Sequence, residues 1–283
     1  MSRIVYVNGE YLPEADAKIS VFDRGFLMAD AVYEVTSVID GKILAFDGHT
    51  ERLARSLREL DMKSPCTIDE LLAIHREMIA RNNLTEGLIY LQVTRGIADR
   101  DFAYPDVEPS LVLFTQAKNV VNSPMAKTGM KVISIPDIRW GRRDIKTVQL
   151  LAPSMGKMAA KAAGCDDAWL VEDGFVTEGT SNNAYIVTQD GTIVTRNLGT
   201  EILAGITRAA VLRYAAEAQI KIEERPFTIE EAMQAKEAFV TSATTFVGPV
   251  IEIDGAQIGD GKVGDIARRL REIYLEESMK TAI

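Results

Sequence analysis

With 283 residues, 47% of them hydrophobic and 26% charged, the chain is long enough for one large or two ordinary domains and has globular composition. Its formal net charge of −9 argues against a nucleic-acid partner, and no basic run suits a membrane surface. No apolar run approaches the roughly 20 residues of a spanning helix, the distant Cys66 and Cys165 point to reduced thiols in a cytoplasmic protein, and His49 and His75 are too few and too scattered for a zinc set, so no metal is expected.

In chain order, Ile4 to Val7 alternates like a strand and Asn8-Gly9 turns it. Ile19 to Phe22 reads as another strand, closed by the turn Asp23-Arg24-Gly25. Ala31 to Ile39 is dense in β-branched and aromatic residues, and Asp40-Gly41 returns it into a strand over Lys42 to Phe46. Asp47 then caps a helix with Leu53, Leu57 and Leu60 on one face. Thr67 and Glu70 form a capping box for a second helix, whose apolar set is Leu71, Leu72, Met78 and Ile79. Strands follow at Leu88 to Thr94 and Leu111 to Thr115. The polar segment Ala117 to Gly129 reads as a linker, which places a domain boundary there.

The second half opens with a strand over Met130 to Ile135 and, after Lys146, a helix from about Val148 to Ala163. Short strands at Ala168 to Val171, Phe175 to Thr177, Ala184 to Val187 and Thr192 to Val194 are joined in hairpins by Asp173-Gly174 and Asp190-Gly191. Gly205-Ile206-Thr207 opens a helix to Gln219. A helix over Glu230 to Lys236, a strand over Ala238 to Thr241, a hairpin at Asp254-Gly255 and a helix from Val263 to about Glu277 complete the chain. The pattern is α+β in both halves, and no dinucleotide fingerprint, P-loop or nucleophile elbow is present.

Two groups carry the chemistry. Lys146 follows a strand-like run and a cationic cluster, Arg139, Arg142 and Arg143, of the kind that depresses a neighbouring amine's pKa. Glu178 sits in a turn between strand-like runs, before Gly179 and the polar run Thr180, Ser181, Asn182 and Asn183. A lysine amine and a carboxylate that converge on one pocket are what pyridoxal phosphate needs: the amine holds its aldehyde, and the carboxylate keeps its ring nitrogen protonated. Phosphate donors are available at Gly205-Ile206-Thr207, at Arg52 and in Thr241-Ser242-Ala243-Thr244-Thr245. Arg100 and the Tyr33 hydroxyl are candidates for a substrate carboxylate.

These residues sit in D-R-G-F at Asp23, V-Y-E-V at Val32, V-T-R-G at Val93, D-I-R-W at Asp137, D-I-K at Asp144, V-T-E-G at Val176, G-I-T-R at Gly205, V-T-S at Val240 and P-V-I-E-I-D-G at Pro249. In order and spacing, over nearly the full length, the chain resembles the class IV, fold type IV pyridoxal phosphate enzymes, and among them the D-amino acid aminotransferases. The resemblance implies a smaller N-terminal α/β domain over 1–118, a linker over 119–129, a larger C-terminal domain over 130–283 with the cofactor between the two, and a homodimer. It gives Lys146 the Schiff-base role and Glu178 the ring nitrogen. Arg52, Ile206, Thr207, Ser242, Ala243 and Thr244 take the phosphate, and Leu203 packs on the ring. Tyr33, Val35, Arg100, Phe102, Ser181 and Asn182 face the substrate.

One departure stands out. The family's D-enzymes carry arginine, any residue, then histidine, where this chain has Arg100-Asp101-Phe102. The expected activity is transfer of an amino group from a D-amino acid to a 2-oxo acid. The alternatives on the same fold are (R)-amine or branched-chain amino acid transamination, or aminodeoxychorismate lysis. A catalytically silent α+β binding or scaffold protein is the rival from another class.

Overall fold

The computed structural model describes residues 2–283. The chain forms two compact units. One comprises the residues up to Val120 together with Ile145–Gln149 and Thr281–Ile283; the other comprises Val121–Asp144 and Leu150–Lys280.

The first unit contains β1 (Ile4–Val7), β2 (Glu10–Pro13), α1 (Arg24–Met28), β3 (Ala31–Ile39), β4 (Lys42–Ile43), α2 (Phe46–Glu59), α3 (Ile68–Asn82), β5 (Glu86–Thr94) and β6 (Ser110–Ala117). Its six strands form one antiparallel sheet in the order β2-β1-β6-β5-β3-β4. Helices α2 and α3 bury Leu53, Leu57, Leu71, Ile74 and Met78 against Val32, Ile89, Leu91 and Leu113 of that sheet. The spacing of three and four puts those helical residues on one face. The Thr67 capping box forms with both of its bonds present.

Four local expectations are corrected here. Ile19 to Phe22 is not a strand, because it has no sheet partner and Ile19, Val21 and Phe22 are exposed. The strand expected over Lys42 to Phe46 stops at Ile43, because Ala45 takes the left-handed conformation (φ 51°) and serves as the N-cap of α2. Asp47 therefore lies inside the first turn, where its charge suits the helix dipole, and is not the cap. Asp23-Arg24-Gly25 is the start of α1, with Asp23 as its cap.

The second unit contains α4 (Pro124–Thr128), β7 (Met130–Pro136), α5 (Leu151–Ala162), β8 (Asp167–Glu172), β9 (Phe175–Gly179), β10 (Asn183–Val187), β11 (Ile193–Thr195), α6 (Ile206–Glu217), β12 (Ile222–Glu224), α7 (Ile229–Met233), β13 (Glu237–Ser242), β14 (Phe246–Ile253), β15 (Ala256–Gln257) and α8 (Asp265–Lys280). A mixed sheet runs β12-β11-β10-β13-β14-β7-β8-β9, with β15 on β14. It is parallel at β11/β12, β14/β7 and β7/β8 and antiparallel elsewhere. Its core gathers Trp169, Val176, Ile186, Val240 and Phe227. Part of the expected linker is the helix α4, which starts on Pro124. Glu178 lies in a strand, β9, and not in a turn. Helix α5 starts at Leu151 and not at Val148, because the main chain before it is paired elsewhere, as described below.

Asp23, wholly buried, accepts from the Gly25 N–H (2.8 Å), the Thr94 hydroxyl (2.9 Å) and the Ser110 hydroxyl (2.8 Å). It ties α1 to β5 and β6. Asp23→Ala leaves these three donors without their acceptor, so urea denaturation is expected to show a loss of about 3 kcal/mol. A loss below about 1 kcal/mol would mean that water replaces the carboxylate at no great cost.

Candidate active site

In the first unit, Lys146 is placed by its own main chain. The Tyr33 N–H donates to the Lys146 carbonyl (3.0 Å), the Val148 N–H donates to the Ala31 carbonyl (3.1 Å), and Thr147 bridges to Val32. Residues around Lys146 thus add a short rung to the start of β3, while Ile145 is buried in the core of the unit. The Lys146 Nζ stands 4.1 Å from the centroid of the Tyr33 ring. That ring stacks on Tyr90 (5.5 Å), which stacks on Phe114 (4.7 Å). An ammonium over an aromatic face is attracted to it.

Strand alternation puts Glu34 on the face opposite Tyr33 and Val35. Arg52, from α2, grips Glu34 with Nε on Oε1 (2.8 Å) and Nη2 on Oε2 (2.7 Å), and His49 Nδ1 meets Oε2 at 2.7 Å. Glu34 and His49 are buried, and the Arg52 side chain is 9% exposed. Burial alone would push the Glu34 carboxyl up; Arg52 and His49 overcome this and hold it at about 2. Burial pushes His49 down, so the ring is neutral and donates its Nδ1–H to the carboxylate. Arg52 is therefore fixed in place by this clamp.

Arg100 and Phe102 are exposed, and the Arg100 guanidinium lies 5.4 Å from the Phe102 ring. The loop that carries them is pinned from both ends. Arg95 donates to Asp30 (2.7 Å) and to the Leu60 and Asp61 carbonyls, and stacks on Tyr104 at 3.5 Å. Arg24 donates to the Asp101 carbonyl (2.5 Å).

In the second unit, Glu178 is buried and takes three donors. Arg139 Nη1 reaches Oε1 (2.5 Å), while Asn183 Nδ2 (3.0 Å) and the Leu203 N–H (3.2 Å) reach Oε2. Burial holds this carboxyl above the usual carboxylate range, against the pull of Arg139 and the Leu203 N–H. Three donors around one carboxylate are the surroundings of an ionised group, and a carboxylate has about four lone-pair sites, so it can take one more N–H. Arg139 is itself held by Asp137, through Nε (2.9 Å) and Nη2 (2.7 Å), and Asp137 accepts from the Thr177 hydroxyl (2.7 Å).

The cationic cluster is not a source of free positive charge. Arg142 pairs with Asp144, and Arg143 is buried and pairs with Glu172, so the three arginines are matched by Asp137, Asp144, Glu172 and Glu178.

Asn183, noted in the sequence only as part of a polar run, holds this region together. Its Nδ2 also donates to the Leu203 carbonyl (2.9 Å), and a Cβ added at Gly205 would fall 2.1 Å from its Oδ1. A Cβ added at Gly179 would likewise meet Asn182 Oδ1 at 2.1 Å, so a side chain at either glycine would push the neighbouring asparagine aside. Asn182 turns its amide to Asp167 (2.7 Å), and Ser181 is exposed.

Gly205 is the N-cap of α6 and no side chain caps that end, which leaves the first-turn N–H groups of Ile206 and Thr207 and the positive end of the dipole to serve an anion. The Thr207 hydroxyl is bonded to Tyr274. Ala243, Thr244 and Thr245 form the turn between β13 and β14, and Ser242 Oγ, at the end of β13, accepts from the Thr245 N–H (3.1 Å). An ionised carboxylate with one site left and an uncapped helix start beside Leu203 fit a protonated ring nitrogen and a phosphate.

The chain matches the family model described as amino-transferase class IV over residues 31–253. It is 36% identical over 270 residues to a D-alanine aminotransferase of Staphylococcus haemolyticus, which covers 95% of each chain. It is 35% identical over 276 residues to the D-alanine aminotransferase of Listeria monocytogenes serotype 4b (96% of this chain and 95% of that one). Among solved structures, a branched-chain amino acid aminotransferase with pyridoxamine 5′-phosphate, from the organism abbreviated T.th., matches with a TM-score of 0.90 at 26% identity, over 99% of this chain and 95% of that one. The branched-chain aminotransferase of Escherichia coli matches with a TM-score of 0.90 at 22% identity over 98% and 95%, a likeness of fold.

Because the Glu34 carboxyl titrates lower in the folded chain than in the unfolded one, it stabilises the fold above about pH 4.5, and this contribution fades as the pH falls toward about 2. Glu34→Gln is expected to lower stability near neutral pH by on the order of 3 kcal/mol and to flatten the acid limb below about pH 4.5. Denaturation midpoints followed across pH check this; an unchanged acid limb would assign the acid sensitivity to other carboxylates.

Proposed function

The chain belongs to the class IV aminotransferase family, and on that premise we propose that it moves the amino group of a D-amino acid, such as D-alanine, to a 2-oxo acid, such as 2-oxoglutarate, with pyridoxal 5′-phosphate as cofactor. The observation that carries this reading is the near full-length match at 36% identity to relatives named D-alanine aminotransferase. When bound, the cofactor supplies an aldehyde that an amine can hold and a conjugated ring that accepts an electron pair.

The residues act as follows. Lys146 Nζ would hold the cofactor's aldehyde and, once a substrate amine has taken its place, would serve as the base that takes the proton from the substrate's α-carbon and the acid that gives it back. Glu178 accepts from the ring N–H and keeps it protonated, oriented by Arg139 and Asn183. Leu203 packs on the ring. The phosphate is taken by Arg52, by the N–H groups of Ile206 and Thr207, and by the turn Ser242, Ala243 and Thr244. In the first unit Tyr33, Val35, Arg100 and Phe102 face the substrate, with Arg100 as the carboxylate fork. Ser181 and Asn182 do so in the second. Phe102, where an imidazole is expected, removes a donor and offers an apolar wall.

The protein works as a homodimer in the cytoplasm. Supporting the dimer, Phe26 (73%) and Phe102 (77%) are exposed in the first unit, and in the second Leu151, Met155 and Met158 line one face of α5, all exposed. No helix among the described residues is long and apolar enough to cross a membrane. The branched-chain reading is favoured by the solved structures that share the fold.

D-alanine with 2-oxoglutarate is expected to yield pyruvate and glutamate, with L-alanine and L-leucine at least about 100-fold slower, and Lys146→Ala is expected to lose turnover together with the visible cofactor band. Faster turnover of L-leucine would transfer the assignment to the branched-chain class. A colourless protein that does not respond to added cofactor would leave only a scaffold.

A further inference from the structure

The last helix reaches the turn between β13 and β14 with a buried arginine. Arg271 of α8 is 8% exposed. Its Nη1 donates to the Thr245 carbonyl (2.5 Å) and to the Val247 carbonyl (3.1 Å), and its Nη2 donates to the Val121 carbonyl (2.9 Å). Thr245 and Val247 flank Phe246, a wholly buried aromatic residue in the left-handed region (φ 58°). A bulky residue there costs on the order of 1 kcal/mol or more and persists only where its surroundings over-determine it. The surroundings are on α8: the Arg271 guanidinium lies 5.4 Å from the Phe246 ring, and the Tyr274 ring, nearly one turn further on, lies 5.3 Å from it. Burying a guanidinium is costly, and main-chain carbonyls on both sides of one residue are an expensive set of partners to assemble by chance.

A peptide is planar, with its carbonyl and N–H on opposite sides. Holding the carbonyls of Thr245 and Val247 toward α8 fixes the peptide planes on both sides of Phe246 and, with the Thr245 N–H bond to Ser242 Oγ, anchors the end of the turn that carries the N–H groups of Ala243 and Thr244. The same helix backs the other arm of the phosphate cradle, because the Tyr274 hydroxyl is bonded to Thr207 in the first turn of α6.

We propose that Arg271 is a positioning residue for phosphate binding: through the Thr245 and Val247 carbonyls it aims the end of β13 and the turn after it, Ser242 to Thr244, at the phosphate of the cofactor without touching it. This rests on the reading of that turn as part of the phosphate site. It predicts that Arg271 governs the preference of the apoprotein for pyridoxal phosphate over pyridoxal, which lacks the phosphate, more than it governs binding of the ring.

The test is titration of apoprotein with pyridoxal phosphate and with pyridoxal, read from the visible band, beside apoprotein melting. Arg271→Met is expected to weaken pyridoxal phosphate by about tenfold or more and pyridoxal by less than about twofold. Arg271→Lys, which keeps a charge and a donor but not the fork, is expected to fall between it and the native protein, and it decides the matter if Arg271→Met fails to fold. Equal loss of both ligands, or loss of neither, overturns the proposal. Thr244→Pro, which removes an N–H and a hydroxyl from the turn itself, tests the underlying reading. If its pyridoxal phosphate preference is native, the turn holds no phosphate and the proposal falls with that reading. If Thr244→Pro loses the preference and the Arg271 variants keep it, only the positioning role fails.

Discussion

The structure depends on a short main-chain pairing: the Tyr33 N–H on the Lys146 carbonyl, the Val148 N–H on the Ala31 carbonyl, and the bridge of Thr147 to Val32. A lysine side chain is long and flexible, and an unrestrained amine would sample many positions at an entropy cost that a reacting geometry cannot tolerate. Fixing the main chain on both sides, with Ile145 sunk in the core, restricts that freedom to the side chain alone. The aromatic face of Tyr33 restricts it further. The same rung delays α5 to Leu151, because residues bridged to β3 keep a strand-like backbone in place of a helical one.

A second theme is that the charges of the candidate site are held by other charges. Glu34 clamps Arg52, and Asp137 clamps Arg139, which in turn holds Glu178. Each clamp uses two N–H groups of a guanidinium against one carboxylate, the geometry that best fixes a planar group. Breaking such a buried pair by removing one partner is costly, although an apolar replacement of the whole pair could be as stable. Their value is direction: the Arg52 guanidinium and the Glu178 carboxylate are each aimed. The backbone groups are aimed in the same way, by Asn183 at Leu203 and Gly205 and by Arg271 at the β13–β14 turn.

Local signals were legible where the local chain is sufficient to determine the outcome. Asn8-Gly9, Asp173-Gly174 and Asp254-Gly255 place both residues at positive φ, which is what their hairpins require. Thr67 and Glu70 satisfy each other within one turn. The family was legible from ordered motifs, and it singled out Lys146 and Glu178 as the groups to watch. What could not be read was set by partners distant in sequence. Ile19 to Phe22 has strand composition but no strand beside it. Ala45 caps α2 through a conformation that alanine rarely adopts. Glu34 offered one signal, a carboxylate inside a β-branched run, but its partners lie on a helix 15 and 18 residues away. Arg139 read as free positive charge because Asp137 and Glu178 become its neighbours only on folding. Asn183 read as one more polar loop residue, yet its amide reaches 20 residues along the chain to Leu203.

The central claim is that one amine among the lysines of this chain carries the cofactor. Borohydride reduction of the holoprotein, followed by digestion and mass spectrometry of the peptides, tests it most directly, because reduction makes the linkage permanent at whichever lysine holds it. The account predicts a single phosphopyridoxyl group on Lys146. Labelling concentrated on Lys157 or Lys161 of α5, or no stable label on a protein that still transaminates, would contradict it.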